Sequence, residues 1–174
     1  PSPPRQTALG VTISSFAIPN GLRVVHVEDP RASEVQVTMR YQVGAADDPD
    51  GQGGVAHVAE HLMYQQIVDG RSVFAALEDV ASYFNGATTY DATTYVERSD
   101  SAHLDELLAI EAARMELRCA SVTDSVFLRE REVVRNEVRE RRESAEILVA
   151  IHAGLYPSTH PYRRSVGGSD ESVV

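Results

Sequence analysis

Within GVAHVAEHLMYQQ, residues 54–66, two histidines and a glutamate share five positions of an otherwise apolar, helix-patterned segment. On a helix His57 and His61 stand one turn apart, about 40° from each other around the axis, so both imidazoles can reach one point in space. That is metal-ligand spacing. Glu60 falls about 100° from His61 and about 60° from His57, near enough to act on whatever a metal binds without being a ligand itself. The alternative is a helix whose histidines are satisfied by backbone or solvent, and composition alone produces an H-x-x-E-H string in roughly two per cent of such chains. A third ligand decides between the two.

The segment 123–154 offers one. Its spacing predicts a single long helix with Thr123 or Asp124 as N-cap. The apolar stripe of Phe127, Val133, Val134 and Val138 spans about 140°, and both Glu130 and Glu137 fall inside it. Arg129, Arg131, Glu132, Arg135, Arg139 and Glu140 lie off the stripe. Two unpaired carboxylates on a core face are costly to bury, and a cation removes that cost. Arginines could pair with them instead. Together with His57 and His61, however, the pattern points to a His₂Glu set, which leaves zinc an open position for water or substrate. A purely structural zinc site fits less well, because Glu60 would have no role and structural sites usually close with Cys.

These residues need elements to position them. SSFAIPNGLRVVHVED reads as a hairpin about a Pro-Asn-Gly turn, and EVQVTMRYQVGA alternates with period two as a half-buried strand. AADDPDGQGG breaks the pattern and its carboxylates suit the entry to the histidine helix. RSVFAALEDVA is helical, and YFNGATTYDATTYVER reads as two strands about an Asp-containing turn. In SAHLDELLAIEAARMELR, Leu104, Leu107, Leu108 and Ile110 mark the inner side of an amphipathic helix. Strands followed by helices argue for an α+β fold, a largely antiparallel sheet covered on one face by helices. Residues 1–10 read as a flexible Pro-rich leader and 11–174 as one domain. The final SDESVV reads as the first turn of a further helix, so the chain is expected to be part of something longer.

Of the 174 residues, 43% are apolar and 24% charged, which suits a globular chain with a real core. The net charge is −10 and every basic residue is Arg, so no nucleic-acid partner is expected. No apolar run is long enough to span a membrane. The single Cys119 reads as a buried structural thiol in a helical context. The compartment stays open; removal of an export signal would imply a periplasmic or secreted protein. His26, His103, His152 and His160 lack ligand-like partners and are assigned no role.

GVAHVAEHLMY resembles the inverted zinc box H-x-x-E-H of the pitrilysin or insulysin peptidases, the insulinase family, which includes the mitochondrial processing peptidases. REVVRNEVRER is similar to the segment that carries the third ligand in that family, NGATTYDATTY to its Asn-Ala-x-Thr strand, and HPYRRSVGGSDESV to the stretch closing the first half-domain. Gly86 stands where the family usually has Ala, and Ala81 and Ser82 where glycines are common. The resemblance implies zinc held by His57, His61 and Glu137, with Glu130 supporting a ligand imidazole. It implies a zinc-dependent endopeptidase in which Glu60 is the general base on a zinc-bound water. Asn85, Gly86, Ala87 and Thr88 would form a strand edge that takes an extended peptide as another strand. It also implies a half-domain incomplete at its C-terminus, needing the remainder of the protein or a companion subunit for full activity. The alternative is a non-catalytic peptide-binding or partner subunit of the same fold.

Overall fold

The computed structural model describes residues 2–117 and 119–173, in two compact units that divide after Val35. The first is an antiparallel meander of β1 (Ser2–Gln6), β2 (Thr12–Ala17) and β3 (Arg23–Glu28). β2 and β3 pair from Thr12↔Glu28 to Ala17↔Arg23 around a turn in which only Gly21 takes a positive φ, of 92°. The residues read as a flexible leader are different in the structure: β1 pairs with β2, with Gln6 opposite Thr12. Its two prolines fall where the pairing shifts register, between Ser2↔Ser15 and Arg5↔Ile13, and at the edge of the sheet they take no bond from a further strand.

The second unit is built on a sheet of order β4-β8-β7, from β4 (Glu34–Tyr41), β7 (Tyr83–Thr88) and β8 (Thr93–Asp100). Between β4 and β7 the chain forms α1 (Val55–Gln65), a small hairpin of β5 (Ile67–Val68) and β6 (Arg71–Ser72), and α2 (Val73–Val80). The hairpin turns through Asp69 and Gly70, both at positive φ, a signal the sequence carried and the pattern reading passed over. β7 and β8 are antiparallel, from Tyr83↔Arg98 to Thr88↔Thr93. On β8, Thr93, Tyr95, Glu97 and Ser99 are buried, so their partners Thr88, Gly86 and Phe84 share the covered face.

Three helices follow: α3 (Leu104–Leu117), α4 (Asp124–Glu140) and α5 (Arg142–Leu155). α1 and α3 pack against β8, α1 also covers β7, and α4 packs on α1. Val58, Leu62, Val134 and Val173 form the core of that packing. The architecture is α+β, with antiparallel strands and helices on one face of the sheet. No helix among the described residues is long and apolar enough to cross a membrane.

Three local readings are corrected. The predicted long helix is two, broken at Arg141 (φ −96°, ψ 8°), although neither proline nor glycine marks the place. Val133 is exposed rather than part of the α4 core stripe. Cys119 follows the end of α3 with φ +62°, half-buried against the α1–α4 core, and its N–H donates to Gln66 Oε1 at 3.2 Å.

The inner side of α3 also differs: Leu107, Glu111 and Arg114 are buried, while Leu108 is exposed. Apolar periodicity misleads here because polar residues occupy the core face as a set. Arg114 Nη2 lies 2.9 Å from Glu111 Oε1 and 3.2 Å from Glu97 Oε1, and its guanidinium lies over the rings of Tyr95 and Tyr64. One buried cation faces two carboxyls, so both cannot readily be charged. Burial, and then the neighbouring Glu111, push the Glu97 carboxyl well above the ordinary carboxylate range. Above the ordinary value of 4.5, folded Glu97 keeps a proton that the unfolded chain loses. This group's contribution therefore makes stability fall as pH rises from there until Glu97 ionises. Glu97→Gln is expected to flatten that part of the profile. Urea unfolding of both proteins across this range checks it, and parallel profiles would refute the retained proton.

Candidate metal centre

The entry to α1 is held by a carboxylate from the preceding loop. Asp48 accepts from the backbone N–H of Gly54 at 2.7 Å and of Ala56 at 2.8 Å, satisfying donors that a helix start leaves free. Gly54 has φ +91°, and a Cβ there would come within 2.5 Å of the Gly167 carbonyl oxygen. The loop carrying Gly167 thus closes directly on the first turn of α1, just before His57. Ala56, Val58, Glu60 and Leu62 are buried, and His57 and His61 emerge one turn apart toward α4.

Glu137 meets both histidines. Its Oε2 is 3.6 Å from His57 Nε2 and its Oε1 is 3.5 Å from His61 Nε2. These separations are long for hydrogen bonds. They approximate the roughly 3.3–3.5 Å between donors sharing a tetrahedral ion at zinc–ligand distances. One donor atom from each of the three residues lies within 4.8 Å of the others. Burial, reinforced by the neighbouring His61, pushes His57 down to about 4, which keeps its imidazole in the neutral form that can ligate. The donor set, two neutral-capable imidazoles and a carboxylate, fits zinc and leaves room for a further ligand.

Glu130 sits behind this group. Its Oε2 is 3.5 Å from His61 Nδ1 and its Oε1 accepts from Arg129 Nε at 3.0 Å. No hydrogen-bond partner serves the buried His57 Nδ1 among the described residues. Arg141, at the break between α4 and α5, lies 3.6 Å from Glu137 Oε2.

Glu60 points to the sheet side of α1 and is only 7% exposed. Its Oε2 accepts from the Thr88 hydroxyl at 2.5 Å, and its main-chain carbonyl accepts from the Tyr95 hydroxyl at 3.3 Å. Burial raises its pKa, and the Thr88 hydrogen bond opposes that rise. A Cβ on Gly86 would stand 2.6 Å from Glu60 Oε1, so the glycine opens the space the carboxylate occupies. Among the carboxylates that the sequence offered for the helix entry, Asp48 is the one that serves it. Sequence reasoning missed the roles of Arg141, one helical turn beyond Glu137, and of Tyr95, whose contact with Glu60 spans 35 positions that no local pattern encodes.

A cavity of about 990 Å³ opens over the group, lined by His57, Glu60, His61, Glu137 and the length of β7 from Phe84 to Thr88. β7 is the edge of its sheet. Asn85 and Ala87 are exposed, whereas Gly86 and Thr88 alternate with them and face α1. The aromatic cluster of Tyr64, Phe74 and Phe84 also lines the cavity.

Comparison with known proteins bears on this arrangement. The model of the insulinase family, peptidase family M16, matches residues 23–165. The zinc protease PqqE of Helicobacter pylori is 29% identical over 138 residues, covering 76% of this chain and 30% of that protein. The probable mitochondrial-processing peptidase subunit beta of Arabidopsis thaliana is 27% identical over 161 residues, covering 90% of this chain and 30% of that protein. The crystal structure of pitrilysin superimposes with a TM-score of 0.81 at 20% identity, over 98% of this chain and 18% of that one, and shares the fold. The chain therefore spans about a third or less of these relatives. With a match running from β3 to the loop after α5, the chain belongs to the insulinase family of metallopeptidases, peptidase family M16.

Proposed function

We infer that the protein is a zinc-dependent endopeptidase acting on extended peptides, with His57, His61 and Glu137 as metal ligands and Glu60 as general base. The observation that carries this is the approach of both Nε2 atoms to one carboxylate at 3.5–3.6 Å, with a buried Glu60 beside them. The name of the relative in Helicobacter pylori, a zinc protease, supports the same reading. A non-catalytic role is disfavoured because His57, Glu60, His61 and Glu137 are all intact.

Zinc in such a set supplies Lewis acidity, acidifying water and polarising a carbonyl. Glu60 takes the proton of the attacking water and returns it to the leaving amine. Glu130 Oε2, 3.5 Å from His61 Nδ1, faces the ring nitrogen whose proton leaves Nε2 free to turn toward a metal. The edge of β7 offers unpaired main-chain groups to an extended peptide, giving affinity with little demand on side chains. Exposed Ile147, Ile151 and Leu155 on α5 suit packing against further protein. The length by which the relatives exceed this chain, or a companion subunit, is proposed to complete the wall that orients substrate.

Metal analysis tests the ligand set. The protein is expected to bind one zinc, which His57→Ala or His61→Ala removes; unchanged zinc in both variants would sink the assignment. The two glutamates should separate: Glu137→Gln weakens zinc most, whereas Glu130→Gln costs about 10- to 100-fold in affinity or activity. Competition with a chelator ranks them, and the reverse order would exchange their roles. Glu60→Gln is expected to retain zinc and lose peptide turnover, because the amide preserves size without accepting a proton. Near wild-type cleavage by that variant would dismiss Glu60 as the base.

A further inference from the structure

We propose that Thr88 is a positioning residue for Glu60: its hydroxyl holds one carboxylate oxygen so that the other is presented to the reacting water. This rests on the reading of Glu60 as the base. A hydroxyl has a single hydrogen to donate, and Thr88 Oγ1 gives it to Glu60 Oε2 at 2.5 Å. The neighbouring Thr93 hydroxyl, 3.4 Å away, donates to the Val43 carbonyl at 3.1 Å. Thr93 is thus committed elsewhere and does not compete for Glu60. The Thr88 side chain, occupied in this way, cannot also donate to a peptide on the β7 edge. Its backbone serves the strand and its side chain serves the base.

The placement is rigid at both ends. Thr88 pairs with Thr93 in the antiparallel ladder, and its β-branched side chain is stiff about χ1. Glu60 is held through its main chain by the Tyr95 hydroxyl, and Tyr95 pairs with Gly86 in the same ladder. The second carboxylate oxygen, Oε1, lies over Gly86, in space that a Cβ would fill. One sheet edge therefore determines where both oxygens of Glu60 stand. Without the Thr88 hydrogen bond, the carboxylate is free to rotate away from its working orientation, which affects the chemical step rather than substrate binding.

The test compares Thr88→Val, which keeps shape but removes the hydroxyl, and Thr88→Ser, which keeps the hydroxyl, with wild type in the full-length protein. The substrate is an internally quenched extended peptide that wild type cleaves, and rates are taken at matched zinc content. Thr88→Val is expected to lower kcat about 10- to 100-fold with KM nearly unchanged, and Thr88→Ser to recover most of the loss. Thr88→Ala replaces the valine variant should valine disturb the fold. An unchanged kcat, or a raised KM with kcat intact, would overturn the positioning role. Glu60→Gln keeps the two readings apart: if it is inactive while Thr88→Val is normal, only the positioning role fails. If Glu60→Gln turns over normally, the base assignment itself is lost.

Discussion

The packing of α1 on α4 through Val58, Leu62, Val134 and Val173 is the contact on which the candidate centre depends. Two imidazoles come from one helix and a carboxylate from the other, so the separation of the two helices sets the distance from Glu137 to each imidazole. A packed interior resists such change, because a missing or extra methylene in the seam shifts its neighbours. The same seam explains why the entry to α1 is so heavily restrained. Asp48 fixes its first turn from one side, and the loop at Gly167 closes on it with no room for a side chain at Gly54.

Two buried polar groups in this unit resolve charge in different ways. Around Arg114 the protein supplies its own cation, and the surplus carboxyl at Glu97 is accommodated by keeping its proton. At the candidate centre, Glu60, Glu130 and Glu137 gather around histidines of which His57 is held neutral. Arg129 and Arg141 reach this group only from its rim, as their exposed side chains show. A cation from outside the chain is the natural complement there. The two sets adjoin: Tyr95 has Arg114 against its ring and donates its hydroxyl to the backbone of Glu60.

β7 links the centre to the sheet through alternation. Gly86 and Thr88 face Glu60, while Asn85 and Ala87 alternate with them on the exposed side. The four residues that resemblance groups as one substrate strand therefore divide between its two faces. The period of two decides the division.

Much of this was legible in the sequence because it is local. One helical turn separates His57 from His61 whatever surrounds them, period-two alternation marks β4, and Thr and Tyr enrichment marks β7 and β8. A helical wheel likewise puts Glu130 and Glu137 on one stripe, but it carries no information about the partner helix. Tertiary packing alone decided that Glu137 stands between the imidazoles while Glu130 backs His61. Packing also turned Glu111 and Arg114 inward against an apolar pattern that favoured Leu108, because a paired ion with aromatic neighbours can occupy a core face. The break at Arg141 and the bond from Thr88 to Glu60 were invisible for a related reason. Periodicity specifies which way a side chain points about its own axis, and only the docking of one element on another specifies what it meets.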